Sequence, residues 1–593
     1  MLLLPKTRTI TLREPAGGLF TRSESDEGDL HMIKLLGTNI PALVQEPNMP
    51  PLAEKILSAS ASSFKSWDEV AAWYWGLAKD QLDVDSEVRR VVAEITKGLT
   101  DDKDKVRAVY DYVVQKTRYV ALEFGIEGYR PRRCAQTLGR GWGDCKDKAT
   151  LIVTMLRELG IPANLVLVRT NMRGAISSDP PSYALFDHAI AYVPKLDLFL
   201  DGTAEYTGMN ELPSMDQGAL AFIVNEGGTG KLVNLPISAA SASARTRRIE
   251  LALSDAGPAG LDFKIESTGS FASEARQRYH APSTQRTRLI EDLGSEFGGM
   301  SLLPDKQGLE TGDLENIEVP ASIHLRGKAL GIFKSRTGEF SVATAPIGSL
   351  VARFASRSER KQDVVLPFPL TLSDEWVVKL PPGQPVKHAP EPVKITSPFG
   401  SYELQIESSA GKVVIKTKLT LEKKRVPVEN YAEFRAFCEK VDRVLEDRLV
   451  VGKLFSQNST QLFPQRSDKG GQTMSIDRIG KTPGAPPPRY VPGEWGNGPS
   501  SSTPVSSVSG SSGVSTTASA EMSPADRVRS GQLSVDAYIN LRVDEATKHL
   551  ASRLGPGDLA RVKSMLREQL STDPALVELV QRATGQTPSE AQG

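Results

Sequence analysis

Between residues 101 and 201, two helical patterns precede three short apolar runs, and this order constrains the fold more than any other feature. Apolar residues spaced three and four apart predict a first helix with one buried face; they are Val106, Val109, Tyr110, Val113 and Val114. A second helix is predicted from about Cys145 to Leu159, ended by Gly160 in the left-handed conformation. The runs 163–168, 188–193 and 196–200 are typical of strands. This order predicts an α+β domain, which we place at residues 86–240.

The segments on either side of that domain show mostly β patterns. Residues 1–85 mix β-like runs with prolines and a helical piece at 67–77, so we expect part of an N-terminal β-domain there. Residues 241–455 are expected to be β-rich and to end in a helix at about 429–449. The clearest evidence is the alternation of apolar and polar residues along 402–406 and 413–421, which predicts a hairpin.

Two further regions follow near the carboxyl end. Residues 456–522 are rich in Ser, Gly and Pro. They hold too few large apolar side chains to offset the entropy lost on folding, which predicts a disordered linker. Residues 523–593 are expected to be a small helical segment, with Tyr538, Leu541 and Leu550 on one helix and with N-caps at Asp558 and Asp573.

Charge and composition exclude several classes of protein. The 72 Lys and Arg residues balance 72 Asp and Glu residues, whereas nucleic-acid-binding proteins usually carry a basic excess, so we expect no nucleic-acid partner. The chain has 3 cysteines and 6 histidines, with no histidine pair at the HxxxH spacing. We therefore expect neither a disulfide scaffold nor a metal site. No run approaches roughly 18 apolar residues, so no integral membrane segment is expected.

The most informative stretch for chemistry is residues 141–149, with the sequence GWGDCKDKA. It places Cys145 in the first turn of a predicted helix, where unpaired N–H groups and the helix dipole favour a thiolate over a thiol. The N–H of Cys145 is then a candidate donor to an oxyanion. A buried structural cysteine is the alternative interpretation of this residue taken alone.

The residues downstream favour the catalytic interpretation. His188 opens one predicted strand and Asp201 ends the next. If these strands pair in antiparallel fashion, the two side chains lie together at one end of the sheet. A thiol facing that end completes a Cys–His–Asp arrangement, in which His accepts the thiol proton and Asp orients His.

These residues resemble the bacterial transglutaminase-like cysteine enzymes, which are relatives of papain in architecture. The resemblance rests on GDCKDK at 143–148, DHA at 187–189 and LDGT at 200–203, with RYV at 118–120 and GYRP at 128–131 in support. It covers about residues 95–235. It implies an α+β fold in which a helix-borne cysteine packs on an antiparallel sheet, flanked here by β-rich domains. It also implies a catalytic triad of Cys145, His188 and Asp201.

The resemblance implies thiol-dependent acyl transfer on amide bonds of peptides or proteins, with hydrolysis favoured over protein cross-linking and no cofactor. A non-catalytic scaffold with a relic core is the alternative, and in either case the C-terminal helices are a candidate docking module for a protein partner. Relatives usually carry an export signal. We therefore expect a cytoplasmic protein if this amino terminus is complete, and a periplasmic or cell-envelope protein if a signal is missing from it.

Several neighbours of Cys145 have open roles. Asp144 is the expected N-cap, and the adjacent Lys146, Asp147 and Lys148 form either a solvated or a structural first turn. Substrate contact and simple packing are both open for a set of three aromatic residues: Tyr119, Tyr129 and Trp142. Four arginines, at 130, 132, 133 and 140, make the preceding loop basic. Their charge either binds an acidic group of the substrate, favours the thiolate, or belongs only to a solvated loop. Cys134 is a weak candidate for a regulatory disulfide with Cys145.

Overall fold

The computed structural model describes residues 1–15, 17–343, 348–452 and 524–547, with isolated positions between 559 and 586. The chain divides into two compact units, Met1–Arg489 and Tyr490–Gly593. The helices are α1 (Trp67–Ala78), α2 (Ser86–Ile95), α3 (Asp102–Lys116), α4 (Cys134–Arg140), α5 (Cys145–Glu158), α6 (Ser270–Tyr279), α7 (Pro282–Gly294), α8 (Asp305–Gly308), α9 (Leu350–Phe354), α10 (Tyr431–Leu445), α11 (Pro524–Arg529) and α12 (Val535–Thr547).

The strands are numbered in the same way. They are β1 (Leu2–Pro5), β2 (Thr11–Arg13), β3 (Phe20–Glu27), β4 (Leu30–Gly37), β5 (Ser60–Ser62), β6 (Arg118–Tyr119), β7 (Trp142–Gly143), β8 (Asn164–Arg169), β9 (His188–Val193), β10 (Leu198–Leu200), β11 (Leu220–Val224), β12 (Gly230–Asn234), β13 (Ala244–Ser254), β14 (Gly257–Ser267), β15 (Met300–Leu302), β16 (Leu309–Thr311), β17 (Ala321–Ala329), β18 (Glu339–Ala343), β19 (Val364–Val365), β20 (Leu370–Lys379), β21 (Val386–His388), β22 (Val393–Ser397), β23 (Gly400–Ser409), β24 (Lys412–Leu421), β25 (Arg425–Val426) and β26 (Arg448–Gly452).

The α+β core is built on a five-stranded antiparallel sheet in the order β10-β9-β8-β11-β12. Side chains alternate across β8, as expected for a strand buried on both faces. Leu165 and Leu167 join the helices in one apolar cluster, and Val166 and Val168 join a second cluster with Leu212. The sheet is therefore covered on both sides, and the predicted α+β fold class is confirmed.

Helices α3 and α5 follow the sequence patterns closely. All five apolar residues predicted for α3 are buried, and Asp101 caps its amino end. The second helix ends at Glu158, with Gly160 at φ 72° as predicted. Every residue of α5 from 145 to 156 is buried, the charged ones included. Packing against α2, α3, α4 and β9 encloses this helix on all sides.

The β-rich part that follows contains a nine-stranded sheet along the path β15-β17-β14-β13-β20-β24-β23-β22, with β16 paired to β17. The predicted hairpin is confirmed as β23 and β24, with Gly411 in its turn at φ 73°. The predicted closing helix is α10, which is shorter than expected because Leu449 lies in β26. Helices α6 and α7 were not predicted.

The amino-terminal residues form a three-stranded sheet, β1-β4-β3, and a separate β2-β5 pair before α1. In the second unit, Val528, Val535, Ile539 and Val543 form a small apolar cluster in α11 and α12. Tyr538 and Leu541 lie on one helix, α12, as predicted, and Leu541 is exposed there.

Some predictions lie outside the described residues. They concern the linker at 456–522, Leu550, Asp558 and Asp573, and the boundaries of the five regions remain a prediction. No helix among the described ranges is both long and apolar enough to span a membrane.

Candidate active site

Cys145 is the first residue of α5 and is buried, with 7% of its surface exposed. A capping box fixes this helix start: Asp147 N donates to Asp144 Oδ1 (3.2 Å), and Asp144 N donates to Asp147 Oδ2 (3.3 Å). The predicted N-cap is thus confirmed. Gly143 allows the turn, since a Cβ atom there would lie 2.7 Å from Asp147 Cβ. The thiol is therefore held at the positive end of a helix.

His188 and Asp201 lie together at one end of the sheet. His188 begins β9 and Asp201 follows β10, and these strands pair in antiparallel fashion. His188 Nε2 lies 3.1 Å from Asp201 Oδ2. The other oxygen, Oδ1, accepts hydrogen bonds from Thr203 N and Thr203 Oγ1, both at 2.8 Å. The structure thus brings together the two strand-borne residues that the sequence pointed to.

The charges of this pair reinforce each other. Burial by itself lowers the pKa of His188, but Asp201, the Cys145 thiol and Asp216 together hold that pKa well above its usual value. The pKa of Asp201 stays below its usual value although burial opposes this, because His188 and Thr203 stabilise the carboxylate. Both shifts favour an imidazolium paired with a carboxylate. Because Nε2 faces Asp201, Nδ1 is the nitrogen left for the thiol.

Asp216 is a fourth ionisable group at this site, and the sequence analysis missed it. It is completely buried, and one oxygen of Asp216, one of Asp201 and a ring nitrogen of His188 lie within 4.8 Å of one another. Burial and the charge of Asp201 raise the pKa of Asp216 well above its usual value. No sequence signal marks it, since a single aspartate in a turn at 213–217 is ordinary.

The first turn of α5 is structural rather than solvated. Arg132 Nη1 lies 2.9 Å from Asp147 Oδ2, and Lys146 Nζ donates to Asp144 Oδ2 at 2.7 Å. Lys146 also lies 3.6 Å from Glu123, whose exposed carboxylate is close to Cys145. Buried charges persist only when paired in this way. These pairs fix the backbone beneath the thiol.

Lys148 is buried one turn after the thiol. Its Nζ donates to the carbonyl oxygen of Thr117 at 2.5 Å, which ties α5 to the end of α3. Burial lowers its pKa to about 8, although Asp201 and Glu205 oppose that shift. The sequence predicted Lys148 only as part of the first turn of α5, and the structure shows that it is buried and hydrogen-bonded to the end of α3.

The arginine-rich loop before Cys145 contains α4, a helix that was not predicted. Arg130 pairs with Glu127 (2.8 Å) and Arg133 with Asp83 (3.1 Å). The guanidinium groups of Arg132 and Arg140 lie 5.9 and 5.2 Å from the ring centre of Trp142, at cation–π distance. Trp142 is therefore packed between arginines, and three of the four arginines have acidic partners.

All three cysteines are free thiols. Cys134 lies in α4, and its Sγ is 3.0 Å from Thr154 Oγ1. Burial raises its pKa to about 12. The weakly expected disulfide with Cys145 is not present in this structure.

Aromatic side chains line the approach to Cys145. The ring centre of Tyr183 lies 5.2 Å from that of Trp73 and 5.4 Å from that of Tyr129, which is half exposed. Burial first, and the neighbouring Cys145 second, raise the pKa of Tyr119 and of Tyr183. Tyr183 is a site residue that the sequence analysis did not single out.

Two groups within the described ranges are compact enough to share a metal ion: Glu123 with Asp144 and Cys145, and His188 with Asp201 and Asp216. In the first group, Asp144 already caps α5 and pairs with Lys146. In the second, a proton on Asp216 relieves the repulsion between the two carboxylates without an ion.

Comparisons with known proteins identify the fold of the core. Residues 89–191 match the transglutaminase-like superfamily, and residues 344–451 match a domain of unknown function, DUF3858. A solved structure from Parabacteroides distasonis, described as a "putative protease", is similar with a TM-score of 0.51 and 13% identity, over 76% of this chain and 71% of that one. A search of curated proteins found no match. The core has the transglutaminase-like fold, as predicted.

Proposed function

We propose that this chain, with its transglutaminase-like core, is a thiol-dependent acyl-transfer enzyme that hydrolyses amide bonds of peptides or proteins. Cys145 is the nucleophile, His188 the general base and then acid, and Asp201 the residue that orients His188. The observation that carries the proposal is the buried His188–Asp201 pair, 3.1 Å apart, beside a thiol at the start of α5.

The chemistry follows from these positions. With the thiol proton already on His188, the Cys145 thiolate lies beside an imidazolium, and Sγ forms a bond to the amide carbonyl carbon while the carbonyl π pair moves onto oxygen. The C–N bond then breaks as His188 donates that proton to the leaving amine, which leaves a thioester on Cys145. Water, deprotonated by His188, attacks the thioester, releases the acid and restores the thiol. The first N–H groups of a helix have no acceptor within it, so the Cys145 N–H is free for the oxyanion.

Two features support a peptide-like substrate. Tyr183, a neighbour of Cys145, and the half-exposed Tyr129, whose ring meets it at 62°, offer apolar aromatic surface near the thiol, which suits an extended chain. The similar structure from Parabacteroides distasonis carries the description of a protease. Hydrolysis and cross-linking share the same thioester and differ in the acceptor. Mass spectrometry separates cleaved peptides from glutamyl–lysine products.

The proposal is tested by iodoacetamide alkylation of the native full-length chain at about pH 6.5, with the rate for each cysteine measured by mass spectrometry. Thiolates react and thiols do not. We expect Cys145 to react fast, and at least roughly tenfold more slowly in His188→Ala, because the raised pKa of His188 keeps an imidazolium beside the sulfur. Cys134 and Cys438, each with a pKa raised to about 12 by burial, are internal controls.

A denatured sample, in which all three thiols are exposed, gives the reference rate. If native Cys145 reacts no faster at this pH than it does in the denatured chain, and if His188→Ala changes nothing, the thiol is not activated. That result would overturn the proposed enzyme and favour the scaffold interpretation.

A further inference from the structure

Asp216 has no role in the scheme above, yet it lies against the two residues that activate the thiol. None of its surface is exposed, and neither carboxylate oxygen has a hydrogen-bond donor among the described residues. One of its oxygens, one of Asp201 and a nitrogen of His188 lie within 4.8 Å of one another. A buried carboxyl group without a donor is costly, so its position calls for a physical reason.

Two buried carboxyl groups at this distance do not both ionise. Asp201 keeps the charge, because it faces His188 and accepts two hydrogen bonds from Thr203. Asp216 faces Asp201, His188 and, at longer range, Asp187, and its pKa is raised by burial and by Asp201. With the proton on Asp216, its O–H is a donor close to the Asp201 carboxylate.

The turn that carries Asp216 is held from two sides. Asn171 Nδ2 donates to the carbonyl oxygens of Ser214 (3.3 Å) and Gln217 (2.8 Å). Lys424 Nζ donates to the same two oxygens, at 2.9 and 2.5 Å. Lys424 lies between β24 and β25, in the segment that matches the domain of unknown function. The β-rich part of the chain thus reaches the turn behind the candidate active site.

We propose that Asp216 is a positioning residue, which holds the Asp201 carboxylate against His188 by donating a hydrogen bond, and that Lys424 fixes the turn from which it does so. The inference rests on the proposed function, since positioning matters only if the triad works. It assigns the β-rich region a part in completing the active site.

The test compares Asp216→Asn with Asp216→Leu in the full chain. Asn and Leu share the branched shape of Asp, but only the Asn amide can replace the carboxyl O–H as a donor. The readout is the iodoacetamide rate of Cys145 at about pH 6.5. We expect Leu to slow it roughly tenfold to a hundredfold, as for loss of a hydrogen bond to a charged group, and Asn to stay within about threefold of wild type.

The same variants should differ in their pH profiles. With His188 held in place, the rate should be nearly flat between about pH 6 and 8, as in wild type and Asp216→Asn, whereas in Asp216→Leu it should rise with pH like that of an ordinary thiol. Lys424→Met, which keeps the side-chain length but loses both hydrogen bonds, should give a smaller loss, because Asn171 remains. Lys423→Met, at the exposed neighbouring lysine, is the matched control.

The outcomes separate the two proposals. If wild-type Cys145 is not activated, the proposed function fails before Asp216 is considered. If Cys145 is activated and Asp216→Leu keeps the wild-type rate and pH profile, only the positioning role is wrong. Equal losses in Asn and Leu variants would also overturn it, because they would mean that the charge, not the donor, of Asp216 matters. Asp216→Leu removes a buried polar group and should fold. If it does not fold, the alkylation rates of Asp216→Asn and Lys424→Met test the positioning role instead.

Discussion

His188 shows how strongly a single residue depends on its surroundings. Burial opposes the imidazolium, yet the pKa of His188 is raised because Asp201, the Cys145 thiol and Asp216 outweigh that penalty. An imidazolium therefore persists at neutral pH. The predicted pairing of β9 with β10 was enough to place His188 beside Asp201, since antiparallel neighbours end at one sheet edge.

Asp201→Asn should abolish this balance while keeping the side-chain shape. Burial then dominates, and the pKa of His188 falls, so that the imidazolium is lost as pH rises through a lower value than in wild type. We expect the alkylation rate of Cys145 to fall roughly tenfold to a hundredfold at about pH 6 and to approach the wild-type rate near pH 9, where ordinary thiols ionise.

The matched control for this variant is Asp197→Asn. Asp197 lies on the exposed turn before β10 at φ 47°, a conformation that Asn tolerates well. Asp197→Asn should leave the alkylation rate of Cys145 unchanged at every pH. A wild-type profile in Asp201→Asn would mean that Asp201 does not support the imidazolium.

At the scale of elements, α5 begins and ends close to where its sequence pattern predicts, but the pattern left the surroundings of its first turn open. A solvated and a structural turn were both possible for residues 146–148, and their burial favours the structural one. Its charges are compensated by groups distant in the chain, such as Arg132 for Asp147 and the Thr117 carbonyl for Lys148. The spacing of apolar residues predicts which helix face is buried. It does not predict which polar side chains will be buried with a hydrogen-bonding or charged partner.

Lys148→Met should stabilise the protein below about pH 8. The folded pKa of Lys148, about 8, lies below that of an unfolded lysine near 10.4, so the folded state pays for a buried charge at low pH. That penalty, about 3 kcal/mol, is larger than the roughly 2 kcal/mol of the lost charge-assisted hydrogen bond. Urea unfolding should show an advantage of about 1 kcal/mol at pH 6 that shrinks toward pH 10.

Lys103→Met, at an exposed lysine of α3, serves as the control and should change the free energy of unfolding little at either pH. An advantage for Lys148→Met that grows with rising pH would contradict the buried-ammonium account, because the wild-type penalty disappears as Lys148 loses its proton.

At the scale of the whole molecule, the core and the β-rich part share many polar contacts. Arg276 donates to the carbonyl oxygen of Tyr206 at 3.2 Å, and Arg107 lies 3.3 Å from Glu318. Lys424 reaches the turn at 213–217. The amino-terminal segment joins the same body, since Glu46 accepts hydrogen bonds from the backbone of residues 361 and 362.

These contacts predict that the core and the β-rich part unfold together. Cys134 in the core and Cys438 in α10 are both fully buried, so each is alkylated only after its region opens. Brief iodoacetamide pulses across a urea series should give the same midpoint for both thiols. Labelling of Cys438 at lower urea than Cys134 would show that the β-rich part opens independently.

The sequence alone determined the local features of this protein. Helices α3 and α5, the cap at Asp144, the hairpin of β23 and β24 and the triad candidates follow from signals within a few residues or from strand order, where chain geometry limits the choices. The tertiary structure alone decided the position of Asp216, the hydrogen bonds from Lys424 to the turn at 213–217, and the burial of Lys148. Those depend on contacts between segments up to some two hundred residues apart, and ordinary turn or surface residue types carry no mark of such partners.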